Sequence, residues 1–160
     1  MMRLVWLSLL LLAGCARQAP LPEGLPTLAL PQQWHVQREL AAEQQDWLLI
    51  VQQEGTALRW SMMDPLGIPQ ARQRLVDGQW QADGLLPPNA EARELFAALL
   101  FALTPDRELA ARYPAASRQG MQRRLDGRWV VDYRSPRVFT LSLAQGLRYH
   151  ITPLNDGNTP

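Results

Sequence analysis

Lysine is absent from this 160-residue chain, and all sixteen of its Lys-or-Arg positions are arginine. The bias fits a GC-rich genome and carries no functional reading. Histidine is nearly absent as well: His35 and His150 are the two in the chain, and neither sits in a metal-ligand spacing. No Gly-x-Ser-x-Gly elbow, Ser-x-x-Lys pair, glycine-rich phosphate loop or cofactor fingerprint occurs. Nothing in the sequence therefore asks for an enzyme, a metal or a bound cofactor. Asp64 and Asp106 read as turn and helix-start residues rather than an acid and base, because each has a local backbone role open to it. A charge excess is also missing. Once Arg3 is removed with a signal segment, fifteen arginines face fifteen acidic residues, which leaves no global field to hold nucleic acid. Finally, no apolar run approaches the roughly twenty residues that a membrane-spanning helix needs. The run that does exist, Leu4 to Leu12, is about half that length.

That short run is the most informative segment. It follows a basic start at Arg3 and leads into Leu12-Ala13-Gly14-Cys15, the pattern of a bacterial lipoprotein signal. Residues 1–14 are expected to be cut off, leaving Cys15 as a mature N-terminus carrying a thioether-linked diacylglycerol. Two or more acyl chains, at about 0.8 kcal/mol per buried CH₂, hold a protein on a membrane essentially permanently. Ala16 follows the cysteine where an aspartate would be the familiar inner-membrane retention signal, so the expected location is the periplasmic face of the outer membrane. With Cys15 consumed by lipid, the mature chain has no thiol for a disulfide, a CxxC pair or a zinc site.

About 145 residues remain after cleavage, enough for one domain with a real core. Residues 15–31 carry Pro20, Pro22, Pro26 and Pro31 and read as a semi-extended tether. Leu25, Leu28 and Leu30 leave a second reading open, an arm packed on the domain. Residues 32–154 form the domain, and residues 155–160 a frayed tail. Strands are predicted at Trp34 to Leu40, Trp47 to Gln52, Leu58 to Met63, Ala71 to Val76 and Gln79 to Ala82, with hairpin breaks at Gly55 and Asp77-Gly78. Leu58, Trp60 and Met62 alternate with Arg59 and Ser61, as in a strand with one buried and one wet face. After Pro87-Pro88, the segment from Asn89 to Leu103 repeats Ala92, Leu95, Phe96, Leu99, Leu100 and Leu103 along one helical stripe. Thr104-Pro105 then predicts an N-cap and first turn for a second helix reaching about Tyr113. Four further strands are predicted at Gln119 to Leu125, Trp129 to Arg134, Val138 to Leu143 and Leu147 to Thr152. The expected fold is mainly β with helices, an open antiparallel half-barrel with two helices on its concave side.

With these elements in order, the chain resembles the outer-membrane lipoprotein receptor LolB, and more closely the LolB-like lipoproteins of aryl-polyene gene clusters. The resemblance rests on Trp60-Ser61-Met62-Met63-Asp64-Pro65-Leu66-Gly67, on the helix from Ala90 to Leu103, and on Gly127-Arg128-Trp129-Val130-Val131-Asp132-Tyr133 followed by two strands. It implies a half-barrel whose concave face holds acyl chains, and a leucine in the Pro65-Leu66-Gly67 loop that touches the membrane to deliver cargo. Two readings of Leu66 stand side by side, an exposed tip and a residue capping the barrel end inside its own core. Ile68-Pro69 follows where LolB tends to be polar.

Trp34, Trp47, Trp60, Met62, Trp129, Tyr133, Phe139 and Tyr149, with Leu95 and Leu99 of the helix, are candidates to line an apolar groove for lipid or polyene tails. The same residues also make an ordinary core. Seven arginines between Arg118 and Arg148, against Asp126 and Asp132, predict a basic outer face on the C-terminal sheet. The expected function is binding or transfer of lipid, lipoprotein or polyene-lipid cargo without chemistry. The alternative is a non-transporting accessory lipoprotein of an envelope complex. Expected partners are membrane lipid and a periplasmic carrier protein or lipoprotein cargo, with the chain itself a monomer that binds neither nucleic acid nor metal.

Overall fold

A computed structural model describes residues 18–154, so Cys15, the signal segment 1–14 and the tail 155–160 lie outside the described residues. The chain runs β1 (Gln32–Leu40), β2 (Glu43–Glu54), β3 (Ala57–Met63), β4 (Pro69–Val76), β5 (Gln79–Ala82), α1 (Ala90–Leu103), α2 (Asp106–Arg112), β6 (Ala116–Gln119), β7 (Gln122–Leu125), β8 (Trp129–Ser135), β9 (Val138–Ser142) and β10 (Arg148–Pro153). All ten strands join one antiparallel sheet that stays open, in the order β5-β4-β3-β2-β1-β10-β9-β8-β7-β6. It consists of two meanders, β1 to β5 and β6 to β10. The seam between them is the β1–β10 pair, where Val36 faces Ile151 and Arg38 faces Tyr149.

The alternation read from the sequence sets which face is inside. Trp34 and Val36 of β1, Leu49 and Val51 of β2, and Trp60 and Met62 of β3 are buried, as are Trp129 and Val131, Phe139 and Leu141, and Tyr149 and Ile151 across the other meander. Their neighbours in sequence point to the opposite face. The predicted strand Gln119 to Leu125 is strand only from Gln122: Gly120 adopts φ +57° and turns the chain back, so that β7 pairs as a hairpin with β6, which lies almost entirely before the predicted bounds.

Asn89 caps α1, its Oδ1 accepting from the Ala92 amide at 2.9 Å. At the other end Thr104 departs from expectation. It caps the C-terminus of α1, with its hydroxyl donating to the Leu100 carbonyl at 2.7 Å, and does not cap α2. Pro105 precedes α2 without a side-chain cap. The apolar stripe of α1 is also wider than its periodicity implies, because Ala97, Ala98, Phe101 and Ala102 are buried along with Leu95, Phe96, Leu99 and Leu100. A helix apolar all round is one covered on every side.

Two stacking contacts fix how the sheet covers it. Phe96 stacks on Trp60 of β3 with ring centroids 5.4 Å apart, and Phe101 meets Trp129 of β8 at 5.7 Å. Five strand spacings separate β3 from β8, about 24 Å in a flat sheet, whereas five residues of helix rise only about 7.5 Å. The sheet therefore curls around α1. Leu21, Leu25, Leu28 and Leu30 pack against the core, and the arm is tied to α2 by the Glu23 amide on the Arg112 carbonyl at 2.8 Å and the Thr27 amide on Glu108 at 3.0 Å. Residues 18–31 are thus a packed arm rather than a free tether. Their leucines have an apolar groove to occupy, and that burial outweighs the extended preference of the prolines.

Candidate functional site

The Pro65-Leu66-Gly67 loop joins β3 to β4 at one end of the sheet. Asp64 builds it: its Oδ1 accepts from the amides of Leu66 and Ile68, both at 2.9 Å, and its carbonyl accepts from the Gly67 amide at 2.9 Å. The Asp64 amide in turn donates to the Ile68 carbonyl at 3.0 Å. Gly67 takes φ +82°, a conformation that a side chain would strain. Four hydrogen bonds across five residues hold the turn in one shape, and that shape turns Leu66 outward. Its exposure is 85%, and Ile68 beside it is 54% exposed. The reading of Leu66 as a core cap is overturned, since the capping work in this loop falls to Asp64 and the leucine has no partner inside.

The candidate groove residues do converge, but on one another and on α1. Trp34, Trp60, Met62, Leu95, Leu99, Trp129, Phe139 and Tyr149 are each at most 3% exposed, so they leave almost no surface for a ligand on the concave face. Trp47 and Tyr133 are half-buried, with the Trp47 ring 6.2 Å from Tyr149 and the Tyr133 ring 5.4 Å from Phe139. The expected open groove is filled by α1 itself. Two aromatic rings and a row of leucines from the helix occupy the concave face.

Polar groups pin that helix at both ends, and among them Arg38, Glu91 and Glu94 carry no signal of this role in the sequence. In the first turn, Glu91 accepts from Arg38 Nε of β1 at 2.6 Å and from the Tyr149 hydroxyl of β10 at 2.9 Å, which ties α1 to the seam. One turn on, Glu94 accepts from Arg128 at 2.8 Å and from the Trp129 indole at 2.6 Å, which ties it to β8. At the far end Arg123 of β7, only 3% exposed, donates to the carbonyls of Phe101 at 2.7 Å and Thr104 at 2.8 Å, and to Asp106 at 2.7 Å. The Tyr133 hydroxyl donates to the Ala102 carbonyl at 2.6 Å. Burial pushes that phenol up to about 12, which keeps the donated proton in place at neutral pH.

Burial alone would raise the Glu91 carboxyl, but the hydrogen bonds from Arg38 and Tyr149 and the Arg38 charge outweigh it and hold the group below its ordinary 4.5. A carboxylate depressed in the folded state adds stability that is fully present above its unfolded pKa and is lost as pH falls through the folded value. Glu91→Gln is therefore expected to melt below wild type at neutral pH, and the gap should narrow as pH drops below about 4.5. Melting curves from pH 7 to pH 3 on both proteins check this.

The predicted basic outer face is smaller than expected. The β7–β8 register sets Arg123 opposite Val131, on the inner side. Arg118 pairs with Asp106 and Arg128 with Glu94, while Arg137 lies 5.6 Å over the Trp34 ring. Arg124, Arg134 and Arg148 are left for the outer face, beside Asp132 and Glu39. There His150 joins two strands, its Nδ1 3.1 Å from the Thr140 hydroxyl and its Nε2 3.0 Å from Glu39. Hydroxyl, imidazole and carboxylate in a row have the connectivity of a hydrolytic triad. On three central strands, however, the backbone amides are engaged in the ladder and none converges to hold an oxyanion. His35 pairs separately with Asp46 at 2.7 Å. No group of His, Cys, Asp and Glu suited to a metal ion occurs among the described residues. No helix among them is long and apolar enough to cross a membrane.

No protein-family model matches the chain, and no curated protein matches it.

Proposed function

We propose that the chain is an outer-membrane lipoprotein of the LolB-like kind, held on the periplasmic face by acyl chains on Cys15, which passes lipid, lipoprotein or polyene-lipid cargo into the bilayer through Leu66. The observation that carries the reading is the turn at Asp64. A solitary exposed leucine is ordinary on a protein surface. A leucine locked outward by four hydrogen bonds, with an isoleucine beside it, forgoes about 1.5–3 kcal/mol per side chain that burial in its own core would supply. A lipid phase returns that energy. The order of the elements supports the kinship: a meander, a buried helix and a second meander in one open sheet.

The filled concave face favours a second reading, an accessory lipoprotein that transports nothing and docks another envelope protein. In the transport reading, cargo passes at the tip, or α1 must withdraw before an acyl chain enters. A transfer assay separates the two. Donor vesicles carrying a self-quenched fluorescent lipid are mixed with unlabelled acceptor vesicles and the lipidated protein. Dequenching faster than the protein-free rate supports transport, and an unchanged rate together with retained membrane binding supports the accessory role.

A further inference from the structure

Leu85 is the most exposed large apolar side chain among the described residues, at 104%. It sits in Gly84-Leu85-Leu86-Pro87-Pro88, between β5 and α1. Ala82 of β5 lies opposite Gln73 of β4, and the Asp83 amide donates to the Arg72 carbonyl at 3.3 Å. The chain therefore leaves β5 opposite the middle of β4 and heads toward the end of the sheet where β4 begins, the end that carries the Leu66 turn. Leu85 follows two residues after Asp83 in that direction, one strand over from Leu66 and Ile68.

The packed arm supplies the second observation. Gln18, Ala19 and Leu21 line a cavity of about 340 Å³ together with Gly78, Gln79, Trp80 and Arg93, so the described chain begins beside the start of β5. Cys15 precedes Gln18 by three residues, which can span no more than about 10 Å. From Gln79 at the start of β5 to Leu85 the chain can cover no more than about 20 Å. A lipid anchor on so short a leash therefore starts near one end of the β5 edge, Leu85 follows the other end of β5, and the turn carrying Leu66 and Ile68 lies next to it at the end of β3 and β4. No stand-off is available to the domain.

We propose that the β5 edge is the face that lies on the bilayer, with Leu85 as a second inserted residue alongside Leu66 and Ile68 and the acyl chains of Cys15 entering from the other end of the same edge. This rests on the reading of Leu66 as a membrane tip and adds an orientation to it. Headgroups and their water satisfy the unpaired backbone of β5, which would otherwise invite another strand. The β6 edge, with Met121 at its turn, then faces away from the membrane.

The test uses the lipidated protein on phosphatidylethanolamine–phosphatidylglycerol vesicles. Because Cys15 is consumed by lipid, Leu66→Cys, Leu85→Cys and Met121→Cys each give one labelling site for an environment-sensitive fluorophore. The expected result is a blue shift and quenching by bilayer nitroxide lipids at positions 66 and 85, with position 121 unchanged. Quenching at 66 with 85 left aqueous overturns the orientation and leaves the tip reading intact. Water at both positions, or protein that does not stay with the vesicles, overturns both. A blue shift at 85 that appears equally without vesicles indicates self-association and overturns the proposal as well.

Discussion

Arg123→Met is expected to cost about 2–5 kcal/mol, at about 1–3 kcal/mol for each buried carbonyl left without its donor. In a domain of this size that is a drop in melting temperature on the order of 10 °C. The guanidinium reaches across from β7 to gather the last carbonyls of α1, at Phe101, Ala102 and Thr104, and the carboxylate of Asp106 that opens α2. It also lies over the rings of Phe101 and Tyr133, 5.7 and 5.5 Å from their centroids. Methionine fills similar volume, so the loss isolates the polar contacts: carbonyls at a buried helix end left without a donor. Burial lowers the Arg123 pKa, and the nearby Tyr133 and Tyr113 phenols counter that shift. Thermal melts of wild type, Arg123→Met and Arg123→Lys measure the effect. Lysine keeps the charge but not the fork, and should recover only part of the loss. A melting temperature within a few degrees of wild type for the methionine variant would remove Arg123 from its place as the bolt on α1.

Much of this architecture is legible in the sequence wherever a pattern repeats. Leu58, Trp60 and Met62, then Trp129, Val131 and Tyr133, alternate strictly enough to assign the inner face, and Leu95, Phe96 and Leu99 mark the helix. The pattern fails where a single residue changes the register. Gly120 turns the chain inside a polar, arginine-rich stretch with no apolar alternation to betray the break, so the predicted strand runs across the turn and β6 before it goes unseen. Arg123 therefore reads as surface, although its register partner Val131 belongs to the core. Small side chains hide burial for a different reason. Ala97, Ala98 and Ala102 give little hydrophobic signal, yet all three are buried. The prolines of residues 18–31 argue for a semi-extended chain. Whether an extended chain stands free or lies in a groove depends on the groove, which no local pattern encodes. At the tip, Pro65 and Gly67 announce a turn, while the direction of Leu66 depends on which amides Asp64 captures.

The second large effect is on activity alone. Leu66→Glu is expected to leave the fold intact, because an exposed substitution stays within about 0.5 kcal/mol. The carboxylate faces water in the free protein and meets no unpaired burial. At the membrane the same group must either stay out of the hydrocarbon or be desolvated with no cation beside it, a cost of several kcal/mol. Insertion of the tip is then lost while the Cys15 anchor still holds the protein on the vesicle, so binding and transfer come apart. Leu66→Ala should fall between the two, since it removes apolar area without adding charge.

The most direct measurement is transfer of a fluorescent lipid from donor to acceptor vesicles by lipidated wild type and Leu66→Glu, with a thermal melt of each. The account predicts matching melting temperatures, equal retention on the membrane and transfer by the variant reduced to the protein-free rate. A stable, membrane-retained Leu66→Glu protein that transfers as fast as wild type would contradict it.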